Sequence, residues 1–540
     1  KKGAALAKLR NVNDFTGSVS IENGTLAVDN LGQKSGVNNG ALGVYTNKVT
    51  LNGGSLETLA TLTTDHPVVL GAKGGTILVD EDKTLTLNAS ITGSGNVLTK
   101  TGNGTLTLAP SANYGTLNIM AGRVNSQEKD NVHGYPKNIV LNNGTTLSDH
   151  DNIYSYSTNG VNVKVPEGAT ASWYLDSRCN YTGQLTGGGT LNLYSRNTRA
   201  YLKGYWGDFT GRLNIAGQKI GSYIPMLFVQ GSLKNAEVNA TITLNNNGSN
   251  VAVGSLSGSA QLDGTGTWSI GGNDKDFTFQ GYINGGGLVK IGNGMMAIGK
   301  KQDKLSKQVD VQGGTLNINS SATAITADNK WFGSQAVSVT NSGCFAGRGV
   351  VEKILVNEGG TLQPGNAANA IQYGELKTAN GCYLYKGAKV LFNIYTAKLY
   401  PSLGTTGTLS LADGSTVAVA LSSKYTPKAG DTFTLWEATT LNASADGVTL
   451  QLPALPNGLV WDTSELFQPT GLLKVVTATG INQLTADAVF HCEVFKTNGV
   501  RVGVLTTTKA KLNEDIRGLH VEPGLYLVKV DATTMKVVVK

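Results

Sequence analysis

Over most of its length the chain repeats one short phrase. An alternating aliphatic or β-branched stretch meets a Gly-Thr/Ser-Leu step, often opened by a second Gly, and alternation then resumes. The phrase occurs at Gly24-Thr25-Leu26, Gly53-Gly54-Ser55-Leu56, Gly74-Gly75-Thr76-Ile77, Gly144-Thr145-Thr146-Leu147, Gly313-Gly314-Thr315-Leu316 and Gly359-Gly360-Thr361-Leu362. Where copies lie closest, Gly54 to Gly75 and Gly122 to Gly144, they are about twenty residues apart. A unit of that size cannot bury its own apolar side, so it must stack on copies of itself. The expected fold class is therefore all-β: a right-handed parallel β-helix with rungs of about 20 to 25 residues.

A length of 540 residues would ordinarily divide into several globular domains, but a solenoid grows in one dimension without dividing. Gly is abundant at 70 residues and Pro scarce at 12, which suits many tight turns and argues against collagen or a disordered linker. The formal charge of +7 is modest and the basic residues are scattered, so nucleic-acid binding has no support. Cys179, Cys344, Cys382 and Cys492 show no CxxC spacing, so no metal site and no cofactor is expected. Cys344 and Cys382 fit neighbouring rungs, yet buried free thiols are the simpler expectation. No stretch of 18 apolar residues is present, so no transmembrane segment is expected, and Lys1 reads as a processed or truncated edge.

From about residue 11 to 365 helical periodicity is nearly absent. A second phrase interleaves with the first: Asp14-Phe15-Thr16-Gly17, Asn180-Tyr181-Thr182-Gly183, Asp208-Phe209-Thr210-Gly211 and Asp276-Phe277 to Gly281. Asp or Asn closes an Asx turn, the ring packs inward and Gly supplies the positive φ. A third phrase is Lys100-Thr101-Gly102-Asn103-Gly104 to Leu108, returning as Lys290-Ile291-Gly292-Asn293-Gly294 to Ile298.

These phrases resemble the autotransporter-associated β-strand repeat. Gly93-Ser94-Gly95 through Leu108, then Tyr114-Gly115 and Ala121-Gly122-Arg123-Val124, follow its pattern with one extra residue near Val97. Gly343 to Gly349 with Gly359 to Gly365 is similar to a late passage of such passengers. Gly430 to Trp436, Leu452 to Ser464 and Gly471 to Val475 are similar to their terminal strands. The resemblance covers about residues 11 to 476 and implies a fold rather than an activity. Residues 481 to 540 alternate more strictly, with turns at Asn498-Gly499 and Pro523-Gly524. They resemble the C-terminal sorting domain of Bacteroidota surface proteins, which implies a small C-terminal antiparallel β-sandwich, recognition by type IX secretion machinery, and a cell-surface, outer-membrane-associated or secreted bacterial protein. The expected domains are thus a β-helix over 1–400, terminal rungs or a cap over 401–476, and a sandwich over 477–540.

β-Helices also host polysaccharide lyases and hydrolases, which need converging carboxylates. Asp149, His150 and Asp151, and Asp80, Glu81 and Asp82, are the nearest candidates, and both read more simply as solvated turns. His66 before Pro67 marks a turn, and His133, His491 and His520 lack partners at a recognisable spacing. The most unusual stretch is 173–206. Trp173, Tyr174, Tyr194, Arg196, Arg199, Tyr201 and Trp206 suggest an exposed aromatic and guanidinium face on which a sugar could stack; the alternative is a widened core with the Arg side chains lying over it. The expected function is a non-catalytic stalk, spacer or adhesin with glycan or surface partners; a polysaccharide-degrading enzyme, or its accessory C-terminal part, is the alternative.

Overall fold

The computed structural model describes residues 1–129, 132–149, 157–175, 178–196, 200–218, 224–320, 327–365, 367, 373–478, 489–530 and 533–539. His150, Asp151 and Arg199 lie outside the described residues. The chain divides into two compact units, Lys1–Leu362 and Gln363–Lys540.

The first unit is a parallel β-helix. Its strands follow from alternation: in Thr84–Leu87 and Thr105–Leu108 the leucines are buried and the threonines lie at the surface. Successive rungs pair parallel and in register, so that Leu85, Leu106, Val124, Leu147, Trp173, Leu193 and Ile215 form one inward column. The offset along this column ranges from 18 residues, Leu106 to Val124, to 26, Leu147 to Trp173. The repeat therefore tolerates insertions at its turns while the register is held by the apolar column.

Three walls surround the column. The first runs from Leu6–Leu9 and Thr25–Val28 to Leu185–Thr186, the second from Leu62–Thr64 onward, and the third from Ser157–Asn159 to Tyr282–Asn284. One turn visits all three in order: Asn162–Lys164, Thr170–Leu175 and Cys179–Tyr181, then again Leu185–Thr186, Thr190–Ser195 and Ala200–Leu202.

The second unit opens with parallel strands, among them Lys389–Ile394, Pro401–Leu411, Thr416–Leu421 and Thr432–Ala443. It then changes direction: Leu459–Glu465 and Thr470–Thr477 pair antiparallel, and Thr470–Thr477 also closes antiparallel on Thr432–Ala443. An antiparallel hairpin cannot template another parallel rung, so it ends that stack. Phe433 gathers Tyr400, Tyr425 and Trp461 around it at centroid distances of 5.4, 6.4 and 6.0 Å.

At the C-terminus the expected antiparallel sheet is present, in the order Arg501–Thr508, Val489–Lys496, Gly524–Val530, Thr533–Val539. Among the described residues its second layer differs from the sandwich that the resemblance implied. The helix Leu512–Arg517, not a second sheet, covers Phe490, Cys492, Val494, Tyr526, Val528 and Val537. Leu512 and Ile516, four residues apart, give this short charged segment its single apolar side. A turn forms at Asn498-Gly499, with Gly499 at φ 84°, but Lys496 N–H donates to the Val500 carbonyl oxygen at 2.8 Å, so the loop takes in Thr497 as well and is one residue longer than a two-residue hairpin.

All four cysteines are free thiols; Cys179, Cys382 and Cys492 are buried and Cys344 partly so. No helix among the described residues is long and apolar enough to cross a membrane.

Candidate functional site

Strand alternation divides the aromatic stretch 173–206 between the inside and the outside of the helix. Trp173 and Trp206 point inward, each only 2 % exposed, with ring centroids 6.2 Å apart and nearly parallel. Tyr181 meets Trp173 edge-on at 5.3 Å, and the Trp206 indole N–H donates to the Gly183 carbonyl oxygen at 3.1 Å. These two tryptophans are therefore core residues and correct the expectation of a single aromatic face. The interior here holds three large rings, which the residue types alone did not distinguish from a surface ladder.

Tyr174 and Tyr194 are the outward partners. They sit in register on adjacent strands of the second wall, with rings stacked 4.6 Å apart at 16°. The Arg123 guanidinium lies 5.4 Å from the Tyr174 centroid; its Nε donates to Asn125 Oδ1 at 2.6 Å and its terminal nitrogen to Ser148 Oγ at 2.8 Å. On the other side, the register partner of Tyr194 is Ala216, too small to cover a ring. In the register row Ser148, Tyr174, Tyr194, Ala216 the ring of Tyr194 is thus followed only by a methyl group. A row of amides runs alongside it: Asn192, Asn214 and Asn239 are in register, and Asn214 donates to Asn192 Oδ1 at 2.9 Å. Arg196, half-buried, follows directly on the Tyr194 strand.

This row leads into a groove of about 230 Å³ on the same wall, lined by Arg212, Glu237, Ser255, Ser257, Lys275 and Asp276 among others. Glu237 bridges Arg212, at 3.8 Å, and Lys275. The second wall therefore offers a ring face, amide donors and acceptors, and a cluster of two cations, Arg212 and Lys275, with two carboxylates, Glu237 and Asp276. Such a surface can hold a polar ligand, and both of its carboxylates are engaged: Glu237 in ion pairs, and Asp276 by accepting from the Met295 N–H at 2.7 Å.

Tyr201 belongs to the third wall instead. It stacks on Phe228 at 4.4 Å and 13°, with Lys203 5.4 Å from its centroid. Arg123, Phe228 and Asn214 were not singled out from the sequence. Their signal is register: Phe228 and Asn214 lie one rung from Tyr201 and Asn192, and Arg123 lies two rungs from Tyr174, reaching it across Ser148, which is legible only once rung lengths of 18 to 26 are known.

Asp149 overturns the solvated-turn reading for its position. It ends the strand Thr146–Asp149, is 1 % exposed, and accepts a hydrogen bond from the Tyr181 hydroxyl. Burial pushes its carboxyl up to about 7, against the pull of the Tyr181, Trp173 and Tyr135 donors. His66 is also buried, its Nδ1 2.9 Å from the Asn47 carbonyl oxygen, and burial lowers its pKa. Glu57 and Asp80 form a carboxyl pair beside Lys8; burial and the neighbouring Asp80 raise the Glu57 pKa. Among the described residues no group of three or more His, Cys, Asp or Glu could hold a metal ion.

No protein-family model matches the chain. It is 26 % identical over 359 residues to the adhesin BmaC autotransporter of Brucella suis, an alignment spanning 63 % of this chain and 10 % of that protein. The chain thus spans about a tenth of the length of that curated relative. Against the crystal structure of the Haemophilus influenzae Hap adhesin it shows 13 % identity and a TM-score of 0.26, over 85 % of this chain and 63 % of the other. That structural likeness is too low to bear on function.

Proposed function

We propose that the chain is part of a non-catalytic, adhesive passenger of a bacterial surface or secreted protein, and that its second wall contacts glycans. The similarity to an autotransporter adhesin supports the adhesive passenger. The contact face rests on one observation: among the described residues the Tyr174–Tyr194 stack is followed in register by Ala216, next to the Asn192–Asn214 amide row. A pyranose packs its CH face on such a ring while its hydroxyls meet neighbouring amides.

Glycan-array binding of the intact chain tests the reading. Tyr194→Ala is expected to lose about tenfold in binding at unchanged thermal stability. Unchanged binding by Tyr194→Ala and by Asn192→Ala would remove the second wall from consideration. Trp206→Ala, placed in the core, serves as the contrasting variant that lowers stability.

The C-terminal sheet is read as an export address, on the resemblance of residues 481–540 to type IX sorting domains. Deletion of residues 477–540 in a host carrying that machinery would leave the protein inside the cell; normal surface display would refute the assignment.

A further inference from the structure

The scatter of basic residues has one exception. Lys300, Lys301, Lys304 and Lys307 fall within eight positions, in a chain with 44 Lys and Arg among 540 residues. We propose that this segment, together with Tyr282, is a binding site for sulfated polysaccharide on the third wall. It is independent of the second-wall reading.

The segment is built rather than loose. Gln302 is 1 % exposed and acts as a peg: its amide oxygen accepts from Ile283 N–H at 2.7 Å, and its amide nitrogen donates to the carbonyl oxygens of Gly281 at 3.1 Å and Lys300 at 2.8 Å. Its backbone N–H donates to the Trp331 carbonyl oxygen on the following rung at 2.6 Å. Leu305 is buried, and Gly285 N–H donates to the Lys304 carbonyl oxygen at 3.0 Å. With the backbone pinned at 302, 304 and 305, the four lysines between and beside these points are exposed.

The lysines surround a depression of about 310 Å³ lined by Tyr282, Ile283, Lys300, Lys301, Asp303 and Lys304. Lys301 is already engaged, by Asp303 at 3.8 Å and by the Asp328 carbonyl oxygen. Lys300, Lys304 and Lys307 make no ion pair among the described residues. The Lys304 ammonium stands 5.8 Å from the Tyr282 centroid, and the Tyr282 hydroxyl is fixed by donating to Gln261 Oε1. A held ring flanked by free ammonium groups matches a pyranose that carries anionic substituents: the ring takes the CH face and the lysines take sulfate oxygens. An anionic membrane fits less well, because Ile283 and Leu305, the apolar residues of the site, are buried and have nothing to insert. Duplex nucleic acid fits less well too, since one shallow depression offers no row of charges along a backbone.

The test is surface plasmon resonance of the intact chain on immobilised heparin, with desulfated heparin, phosphatidylserine vesicles and duplex DNA as comparison surfaces. Lys300→Gln/Lys304→Gln is expected to weaken heparin binding about tenfold and to flatten its salt dependence, with an unchanged melting temperature. Tyr282→Leu is expected to weaken it while leaving the salt slope in place. Lys164→Gln, an exposed lysine on the first wall, is expected to have no effect. The proposal is overturned if the double variant binds as the wild type does, if desulfated heparin binds equally well, if vesicles or DNA bind more tightly than heparin, or if Lys164→Gln loses as much as the double variant.

Discussion

Lys100 and Lys290 hold the same position in rungs far apart in the chain. Each ammonium folds under its own Lys-x-Gly-x-Gly turn and donates to three carbonyl oxygens. For Lys100 these belong to Thr101, Gly102 and Ala121, at 2.8, 2.7 and 3.2 Å. For Lys290 they belong to Ile291, Gly292 and Gly313, at 2.6, 3.0 and 3.1 Å. Both residues are fully buried. The third carbonyl in each set comes from the next rung, so the side chain ties one turn to its successor where glycines leave room for it.

Replacing either lysine with methionine keeps the stem and removes the donors, leaving three carbonyls without that partner. The expected cost is about 1–3 kcal/mol of local stability. Hydrogen exchange at the amides of residues 101–104 or 291–294 measures it, and protection equal to the wild type would show that the ammonium is idle.

The same lysines carry a pH signature. Burial lowers each to about 8, from 10.5 in the unfolded chain. Between those values the unfolded chain keeps a proton that the folded chain has released, so stability rises with pH across that window. Urea midpoints at pH 7.5 and 10 should differ in this sense for the wild type, and by less for the Lys100→Met/Lys290→Met variant. A fall in both proteins alike would contradict the buried placement.

Asp149 gives the opposite trend. Its carboxyl is raised to about 7 mainly by burial, from 3.8 when unfolded. Between those values the folded chain holds a proton that the unfolded chain has lost, so this residue's contribution falls as pH climbs from about 4 to 7, and above 7 the full cost of a buried charge remains. Asp149→Asn keeps an acceptor for the Tyr181 hydroxyl and carries no charge. It should flatten the pH dependence of melting between pH 4 and 7 and raise the melting temperature at pH 8. A lower melting temperature at pH 8 would mean that the charged form is favoured after all.

The walls and the apolar column were legible because period-two alternation and Gly turns determine them locally: Leu85, Leu106 and Leu193 sit where alternation puts them. The split of residues 173–206 was not, because Trp173 and Tyr174 are adjacent aromatic residues and composition cannot say which side each faces. That answer needed the register Trp173–Leu193 and Tyr174–Tyr194, which depends on turn lengths that vary. Asp149 was misplaced for a related reason. A carboxylate is normally a surface residue, and only the long-range partner Tyr181, 32 positions on, makes its burial tolerable. The C-terminal helix escaped notice because Leu512 and Ile516 alone mark its apolar side, and a six-residue helix gives too little periodicity to stand out among strands.

Gly258 shows how the interior column handles a change in side-chain size. Going up the column, Ile215 is followed by Ala240, Gly258, Phe279 and Ile298. The large Phe279 ring, fully buried, follows a position with no side chain at all. Gly258 also has φ 90°, and a Cβ there would fall 2.2 Å from the Ala240 carbonyl oxygen. Both the backbone angle and the space therefore demand glycine. Gly258→Ala should destabilise the first unit by about 3 kcal/mol, or prevent its folding when expressed at 37 °C. Pairing it with Phe279→Leu would relieve crowding by the ring but not the angle or the clash with Ala240, so the double variant should recover little. Recovery of wild-type melting by that pair would show that ring packing, rather than backbone geometry, sets the requirement.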